Sequence, residues 1–292
     1  MSRIETTASR TAEWTCVARA ASSLEPDYHL RTDDSVARQL VPKYVDLLLH
    51  TRLGRRLYKA IAPTGLFEYV VARTKYVDAA FQQALAERFD QILIFGAGFD
   101  TRALRFQQLS RNARLFELDV PTTQKAKIAQ YNKRHLTIPG NLVFIPINFD
   151  TDLLPAKLEE AGFGKGRKSL FVMEGLLMYL QPESVDATFR VIEQFAGQGS
   201  RVVFDYLYAS VIREENLYYG EQHVRAAVVR ADERWHFGIE RGMLEPFLSS
   251  YGLKLIDEKD ASELEREFFT ASTGAVLAHV NGSHALVTAE KA

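Results

Sequence analysis

From residue 91 onward, short β-rich apolar runs alternate with stretches of helical periodicity, the pattern of a mostly parallel sheet covered by helices on both faces. The predicted strands are 91–95, 114–118, 142–146, 169–174 and 201–208, with 253–257 and 284–289 as two further strands. The last of these is expected to run antiparallel at an edge. Helices are predicted over 101–109, 121–133, 152–161, 182–196 and 240–251. Pro182 stands at a helix start, where its fixed φ is already helical, and Gly252 is placed to end the helix before it.

Ahead of residue 90 the pattern changes. Val36, Leu40, Val41, Val45, Leu47 and Leu48, then Leu66, Tyr69, Val70, Tyr76, Val77 and Phe81, recur at helical spacing and predict two or three helices before the sheet. The segment 209–238 follows the fifth strand, is rich in aromatic and charged residues, and reads as an insertion. The expected organisation is one α/β structural domain: a helical cap over 1–89 and a Rossmann-like core over 90–292, with a helical lid insertion over 209–250. No internal repeat is evident.

Composition narrows the function classes. The 36 basic residues are balanced by 37 acidic ones, so the chain carries no electrostatic footprint for nucleic acid. One cysteine, Cys16, cannot close an intramolecular disulfide or assemble a thiolate metal site, and no metal is expected. Residues 1–24 contain Glu5, Arg10, Glu13 and Arg19 and do not read as a secretory signal. No apolar run approaches the ~20 residues needed to span a bilayer. A soluble, cytoplasmic protein without a membrane partner is the expectation.

The candidate chemistry centres on Gln91-Ile-Leu-Ile-Phe-Gly-Ala-Gly-Phe-Asp-Thr-Arg102. An apolar strand that breaks at Gly96 and Gly98 into a helix start at Asp100 or Thr101 presents free backbone N–H groups to a ligand. Asp119 follows Gly98 by 21 residues, at the tip of the next strand, where a carboxylate accepts hydrogen bonds from ribose hydroxyls. A dinucleotide fingerprint wants a third glycine where Thr101 stands, and no phosphate-binding Gly-Lys-Ser/Thr follows. A ligand with ribose and adenine but no phosphate, S-adenosyl-L-methionine, is therefore the leading cofactor. An NAD-type oxidoreductase, a non-catalytic binding protein and an ordinary strand–turn–helix remain alternatives.

Several motifs agree in order: Ala72-Arg-Thr74, the glycine turn, Phe116-Glu-Leu-Asp-Val-Pro121, Pro146-Ile-Asn-Phe149 and Met173-Glu-Gly-Leu-Leu-Met-Tyr-Leu180. In this the chain resembles the leucine carboxyl methyltransferase family, which includes methyltransferases of protein phosphatase C-termini, polyketide carboxyl methyltransferases and bacterial O-methyltransferases. The resemblance runs from about Asp34 to the final strand. It implies a class I methyltransferase sheet and methyl transfer from S-adenosylmethionine to a carboxylate or hydroxyl of a small molecule.

The same resemblance assigns the cofactor-binding residues. Arg73 would bind the methionine carboxylate, a task suited to a guanidinium, with Arg38 as a second cation for the same group. Gly96 and Gly98 would let the backbone approach the ligand, Asp119 would take the ribose, and Glu117 would be its structural neighbour. Asn148 and Phe149 stand where the family holds adenine, with Asp150 as the alternative if the register slips. Glu174 would face the cofactor's positive charge, with Tyr179 either packing or lining the site.

A carboxylate acceptor needs no general base, whereas a phenol or alcohol does. His223 and His236 are the histidines nominated for that task, and no catalytic residue is assigned. Residues 1–60 and 209–240 are expected to form the acceptor pocket and its lid, with Tyr206, Tyr208, Tyr218, Tyr219 and Trp235 suited to an apolar molecule.

Overall fold

The computed structural model of the chain describes residues 9–149 and 151–292; Glu5 and the remainder of 1–8, together with Asp150, lie outside the described residues. β1 (Gln91–Phe95), β2 (Arg114–Asp119), β3 (Leu142–Pro146), β4 (Ser169–Met173) and β5 (Arg201–Leu207) are short apolar runs that pair in parallel. With β6 (Leu253–Lys259) and β7 (His284–Lys291) they form one seven-stranded sheet in the order β3-β2-β1-β4-β5-β7-β6.

β7 runs antiparallel to both of its neighbours, as the pattern predicts, but it is not at the edge. It lies between β5 and β6 because its apolar residues face both ways: Ala285, Leu286, Val287 and Ala289 are all fully buried. The edge falls to β6, where Lys254, Asp257, Glu258 and Lys259 suit a strand with one unpaired side.

Period-two alternation sends the apolar residues of each central strand to two cores. Ile92 and Ile94 of β1 join the core shared with α1 (Arg10–Ser22), α5 (Leu66–Ala86) and α7 (Pro121–Lys133). Leu93 and Phe95 join the opposite core, against α8 (Leu154–Glu160), α9 (Pro182–Phe195) and α12 (Leu244–Ser249). In α9 the buried Val185, Phe189 and Ile192 recur at spacings of four and three, and burying each contributes roughly 1.5–3 kcal/mol.

The helical region before β1 is richer than its pattern predicts. α2 (Ala37–Leu40), α3 (Lys43–His50) and α5 fall on the predicted positions, but α1 and α4 (Arg52–Ile61) were not expected. The buried face of α1 is largely alanine, Ala18, Ala20 and Ala21, beside Cys16, so it lacks the large aliphatic residues that mark a helical stripe. In α4 the stripe Leu53, Leu57 and Ile61 is exposed, while Gly54 and Tyr58 are buried. Beyond β1, the predicted helix over 101–109 shrinks to α6 (Arg102–Arg105), because the chain turns at Phe106, whose ring stacks on Phe81 of α5 at 5.4 Å. Similarly, Gly242 at φ +82° delays the start of α12.

The segment after β5 holds α10 (Ala209–Ile212) and α11 (Glu221–Ala231), and α13 (Ala261–Phe268) links β6 to β7. Among the described residues, no helix is long and apolar enough to cross a membrane.

Candidate functional site

Strand order reverses between β1 and β4, and ligands of open α/β sheets bind beyond the carboxyl ends of strands at such a point. A cavity of about 250 Å³ lies there. The segments that leave β1, β2, β3 and β4 all line it, through Gly96 and Gly98, Asp119, Asn148 and Phe149, and Glu174 respectively. Arg73 reaches it from α5.

The turn after β1 uses glycine for a conformational reason. Gly96 and Gly98 both have positive φ, +58° and +50°, and a Cβ on Gly96 would sit 2.9 Å from Leu176 Cδ1. The Gly98 N–H donates to Asp119 Oδ2, and the Val120 N–H donates to Oδ1 at 2.7 Å. Burial pushes the Asp119 carboxyl up to about 6, although both backbone hydrogen bonds oppose this. Glu117, one pleat earlier, is buried in an ion pair with Lys127 of α7 at 2.5 Å and does not line the cavity.

Behind the cavity floor lies a connected set of ion pairs. Arg73 donates through Nε to Glu174 at 3.0 Å and through Nη1 to Asp205 at 2.9 Å. The other oxygen of Glu174 pairs with Arg102 Nη1 at 2.8 Å, and Arg102 in turn pairs with Asp78 and Asp100. Burial works against ionising Glu174, but Arg102 and Arg73 outweigh it and hold the carboxyl below its usual range. Asp100 is likewise penalised by burial, yet Arg102, Lys127 and Arg19 bring it down to about 2. Asp205, fully buried in β5, also accepts from Tyr69 Oη at 2.7 Å and from the Gly175 N–H.

Arg38 is the exception among the candidates for cofactor binding. It does not line the cavity, because Asp46 and His50 of α3 take its guanidinium, at 3.0 Å and 2.6 Å. Arg19 of α1 stands at the cavity instead, bonded to Asp34 at 2.7 Å and to the Phe99 carbonyl at 2.7 Å. Asp34 itself is structural: it also accepts from Thr101 Oγ1 and caps the Ala37 N–H. A lone arginine in the run Cys16-Val-Ala-Arg-Ala-Ala21 was the available signal for Arg19. An aspartate inside the apolar strand Val202-Val-Phe-Asp205 was the one for Asp205.

The remaining wall is aromatic and aliphatic. Trp14, Leu66, Tyr69, Val70, Met178, Tyr179, Val224, Val228 and Trp235 contribute to it. α1 is tied to the segment after α11 by Glu233, which accepts from Ser9 Oγ and from the Arg10 N–H at 2.8 Å. Of the five aromatic residues nominated from 206–235, Trp235 alone lines the cavity. Tyr206 and Tyr208 share a face of the chain leaving β5 and pack into the second core, Tyr218 stacks on Tyr208 at 4.9 Å, and Tyr219 is exposed. Residues of α2–α4 do not line it.

Neither nominated histidine reaches the cavity: His223 is exposed and bonds Thr64 at 2.6 Å, and His236 is exposed. His284, at the start of β7, does reach it. Its ring stacks on Tyr69 at 4.4 Å, and its Nδ1 is buried with no hydrogen-bond partner among the described residues. Burial lowers the imidazole to about 4, with Asp205 opposing and Arg73 adding to the shift.

Comparison with known proteins shows the family. The family model described as leucine carboxyl methyltransferase matches residues 12–193, more than half of the chain. A Mycobacterium marinum (strain ATCC BAA-535 / M) protein, provisionally named as an S-adenosyl-L-methionine-dependent methyltransferase, is 30% identical over 244 residues, covering 80% of this chain and 75% of its own. The similarly named YktD of Bacillus subtilis (strain 168) is 26% identical over 215 residues, covering 74% and 70%. A crystal structure of a provisionally named methyltransferase from Thermobifida fusca YX shares the fold at 13% identity, with a TM-score of 0.58 over 82% of this chain and 89% of that one. The chain belongs to the leucine carboxyl methyltransferase family and is an S-adenosyl-L-methionine-dependent methyltransferase.

Proposed function

We propose that the protein methylates an oxygen, in a carboxylate or a hydroxyl, of a small apolar molecule. The observation that carries this reading is one continuous cavity at the sheet's reversal point, with an ionic wall on the strand ends and an aromatic wall from α1, α5 and the segment after α11.

The lining residues fit the cofactor. Asp119 is a buried carboxylate whose two partners are backbone N–H groups, and ribose hydroxyls would add donors to a charge that burial leaves poorly solvated. The Asn148 amide has an acceptor for the adenine amino group and a donor for a ring nitrogen, beside the Phe149 ring. Arg73 uses Nε and Nη1 for its own carboxylates, and Nη2 makes neither bond, which leaves an N–H edge for the methionine carboxylate. Two guanidinium groups, Arg19 and Arg73, face four carboxylates, Asp100, Asp119, Glu174 and Glu233, so the described lining is acidic and suits a ligand with sulfonium and ammonium charges.

S-adenosylmethionine held there supplies an electrophilic methyl group. The chain's own contribution is positional: the ion-paired floor fixes one reactant, and the apolar wall excludes water and sets the approach of the other. The cavity's size and the balanced net charge support a small-molecule acceptor over a nucleic acid.

The test is methyl transfer from isotopically labelled S-adenosylmethionine to paired panels of carboxylic acids, phenols, alcohols, amines and thiols, with products located by mass spectrometry. Methyl esters or ethers are the expected products. Transfer confined to nitrogen, sulfur or carbon would overturn the oxygen assignment.

A further inference from the structure

Resting on the oxygen-methylation reading, we infer that the acceptor is a neutral, hydroxyl-bearing apolar molecule and that the imidazole of His284 receives its hydroxyl proton. Three independent observations converge on this.

The first is charge. Both lining guanidinium groups are spoken for: Arg73 is paired with Glu174 and Asp205 and gives its remaining N–H edge to the methionine carboxylate, and Arg19 is paired with Asp34. Among the described lining residues there is then no cation left for an anionic acceptor, and carboxylates are in excess. A second carboxylate brought into this low-dielectric space would add a buried charge without a protein counter-ion, and that is costly. A hydroxyl adds none.

The second is the state of His284. A histidine kept only for packing would have its ring nitrogens bonded, since buried polar atoms are almost always satisfied. His284 is 4% exposed and borders the cavity; its Nδ1 is sealed from it without a partner among the described residues, so Nε2 is the ring nitrogen left to meet a ligand. Tyr69, against which the ring stacks, spends its own hydroxyl on Asp205 and gives the imidazole only its face. Burial lowers the imidazole to about 4, with Asp205 of β5 opposing and Arg73 of α5 adding to the shift, so it is neutral at physiological pH. With the proton of the neutral imidazole on Nδ1, Nε2 is an acceptor, which matches the O–H of a hydroxyl.

The third is position. His284 pairs with Leu207 at the carboxyl end of β5, so it stands at the same sheet edge as Glu174 but is contributed by a different strand from those carrying the glycine turn and Asp119. Its ring neighbours in the lining, Tyr69 and Trp235, are aromatic.

In the step, an oxygen lone pair of the hydroxyl forms the new bond to the methyl carbon, and the carbon–sulfur bond breaks with its electron pair on sulfur. The O–H proton passes to His284, so the positive charge lost from the sulfonium reappears as imidazolium. A weakly basic imidazole suffices, because an alkylated oxygen still carrying its proton is a far stronger acid than imidazolium.

Calorimetric titration of the protein–S-adenosylhomocysteine complex with 2-naphthol and with 2-naphthoate at neutral pH tests the acceptor class. 2-Naphthol is expected to bind about tenfold or more tighter than the carboxylate, the size of one good hydrogen bond. The ¹⁵N imidazole signals of His284 are expected to shift on adding 2-naphthol, a readout that needs no turnover. His284→Phe should abolish both the preference and 2-naphthol methylation while leaving S-adenosylhomocysteine affinity unchanged. If that variant does not fold, the wild-type titration and the imidazole shift decide alone. Equal or tighter naphthoate binding, no naphthol binding, or an unmoved His284 signal would overturn the inference. Methylated naphthoate would do so while sparing the oxygen-methylation reading, whereas methylation of neither oxygen class across the full panels would sink that reading itself.

Discussion

The two walls of the cavity are built on opposite principles. The ionic wall is a set of charges that satisfy one another: Arg73, Arg102 and Glu174 are linked at 2.8–3.0 Å, and Asp78, Asp100 and Asp205 complete the set. Such a frame is preorganised before any ligand arrives and can stabilise only the charge distribution it was built for. The facing wall is assembled from α1, α5 and the segment after α11, and it is held together across the opening by one carboxylate, Glu233. Its apolar residues can be exchanged without breaking an ion pair, so in the proposed function the ionic wall serves the cofactor and the apolar wall the acceptor.

The strongest way to break this contrast is Asp205→Ala. It removes the fully buried partner of Arg73, Tyr69 and the Gly175 N–H, and should lower unfolding free energy by about 3–5 kcal/mol, measured by urea titration. A loss below about 1 kcal/mol would mean that the frame is not preformed.

Asp119→Asn separates binding from stability. It should weaken S-adenosylhomocysteine by roughly 1.5–3 kcal/mol in calorimetry, since charge-assisted hydrogen bonds are lost. Its stability readout is the pH dependence. The folded carboxyl is raised from 3.8 to about 6, so its stabilising contribution belongs to the protonated form and is lost as pH rises through about 6. The loss of wild-type stability as pH rises through about 6 should be absent from the ligand-free variant, read as melting temperature against pH. For the wild type, cofactor affinity should fall as pH drops below about 6, approaching about tenfold per pH unit. A pH-independent affinity there would detach Asp119 from the ribose.

The smallest effect sharpens the boundary of the ionic wall. Arg38→Ala should change S-adenosylhomocysteine binding by no more than about 0.5 kcal/mol, because its guanidinium is held by Asp46 and His50 away from the cavity. A larger loss in calorimetry would restore Arg38 to the site.

How much of this was legible follows the same division. The ionic wall lies within or just beyond apolar strands, where a glycine pair or a lone charge interrupts a regular pattern, and so Gly96, Gly98, Asp119 and Glu174 stand out in the chain. The strands were legible for the same reason: β1 and β3 begin and end where the apolar runs do. The aromatic wall leaves no such mark. Trp14 sits on an alanine-lined helix with no strong stripe, and Tyr206 and Tyr208 look like pocket aromatics until β pairing commits them to a core. His284 opens a strand that reads as plain apolar sheet. What brings it to the cavity is register with β5, a long-range property that local pattern does not encode.

β7 occurs later in the chain than both strands it joins. Until it is threaded between β5 and β6, each of those strands presents an open hydrogen-bonding edge, and such edges recruit other chains. The imidazole arrives with that same insertion, so a nascent or clipped polypeptide lacking this strand would keep its glycine turn and Asp119 while being both aggregation-prone and missing part of its cavity wall. The one strand that covers both edges is thus also the one that carries His284 to the cavity.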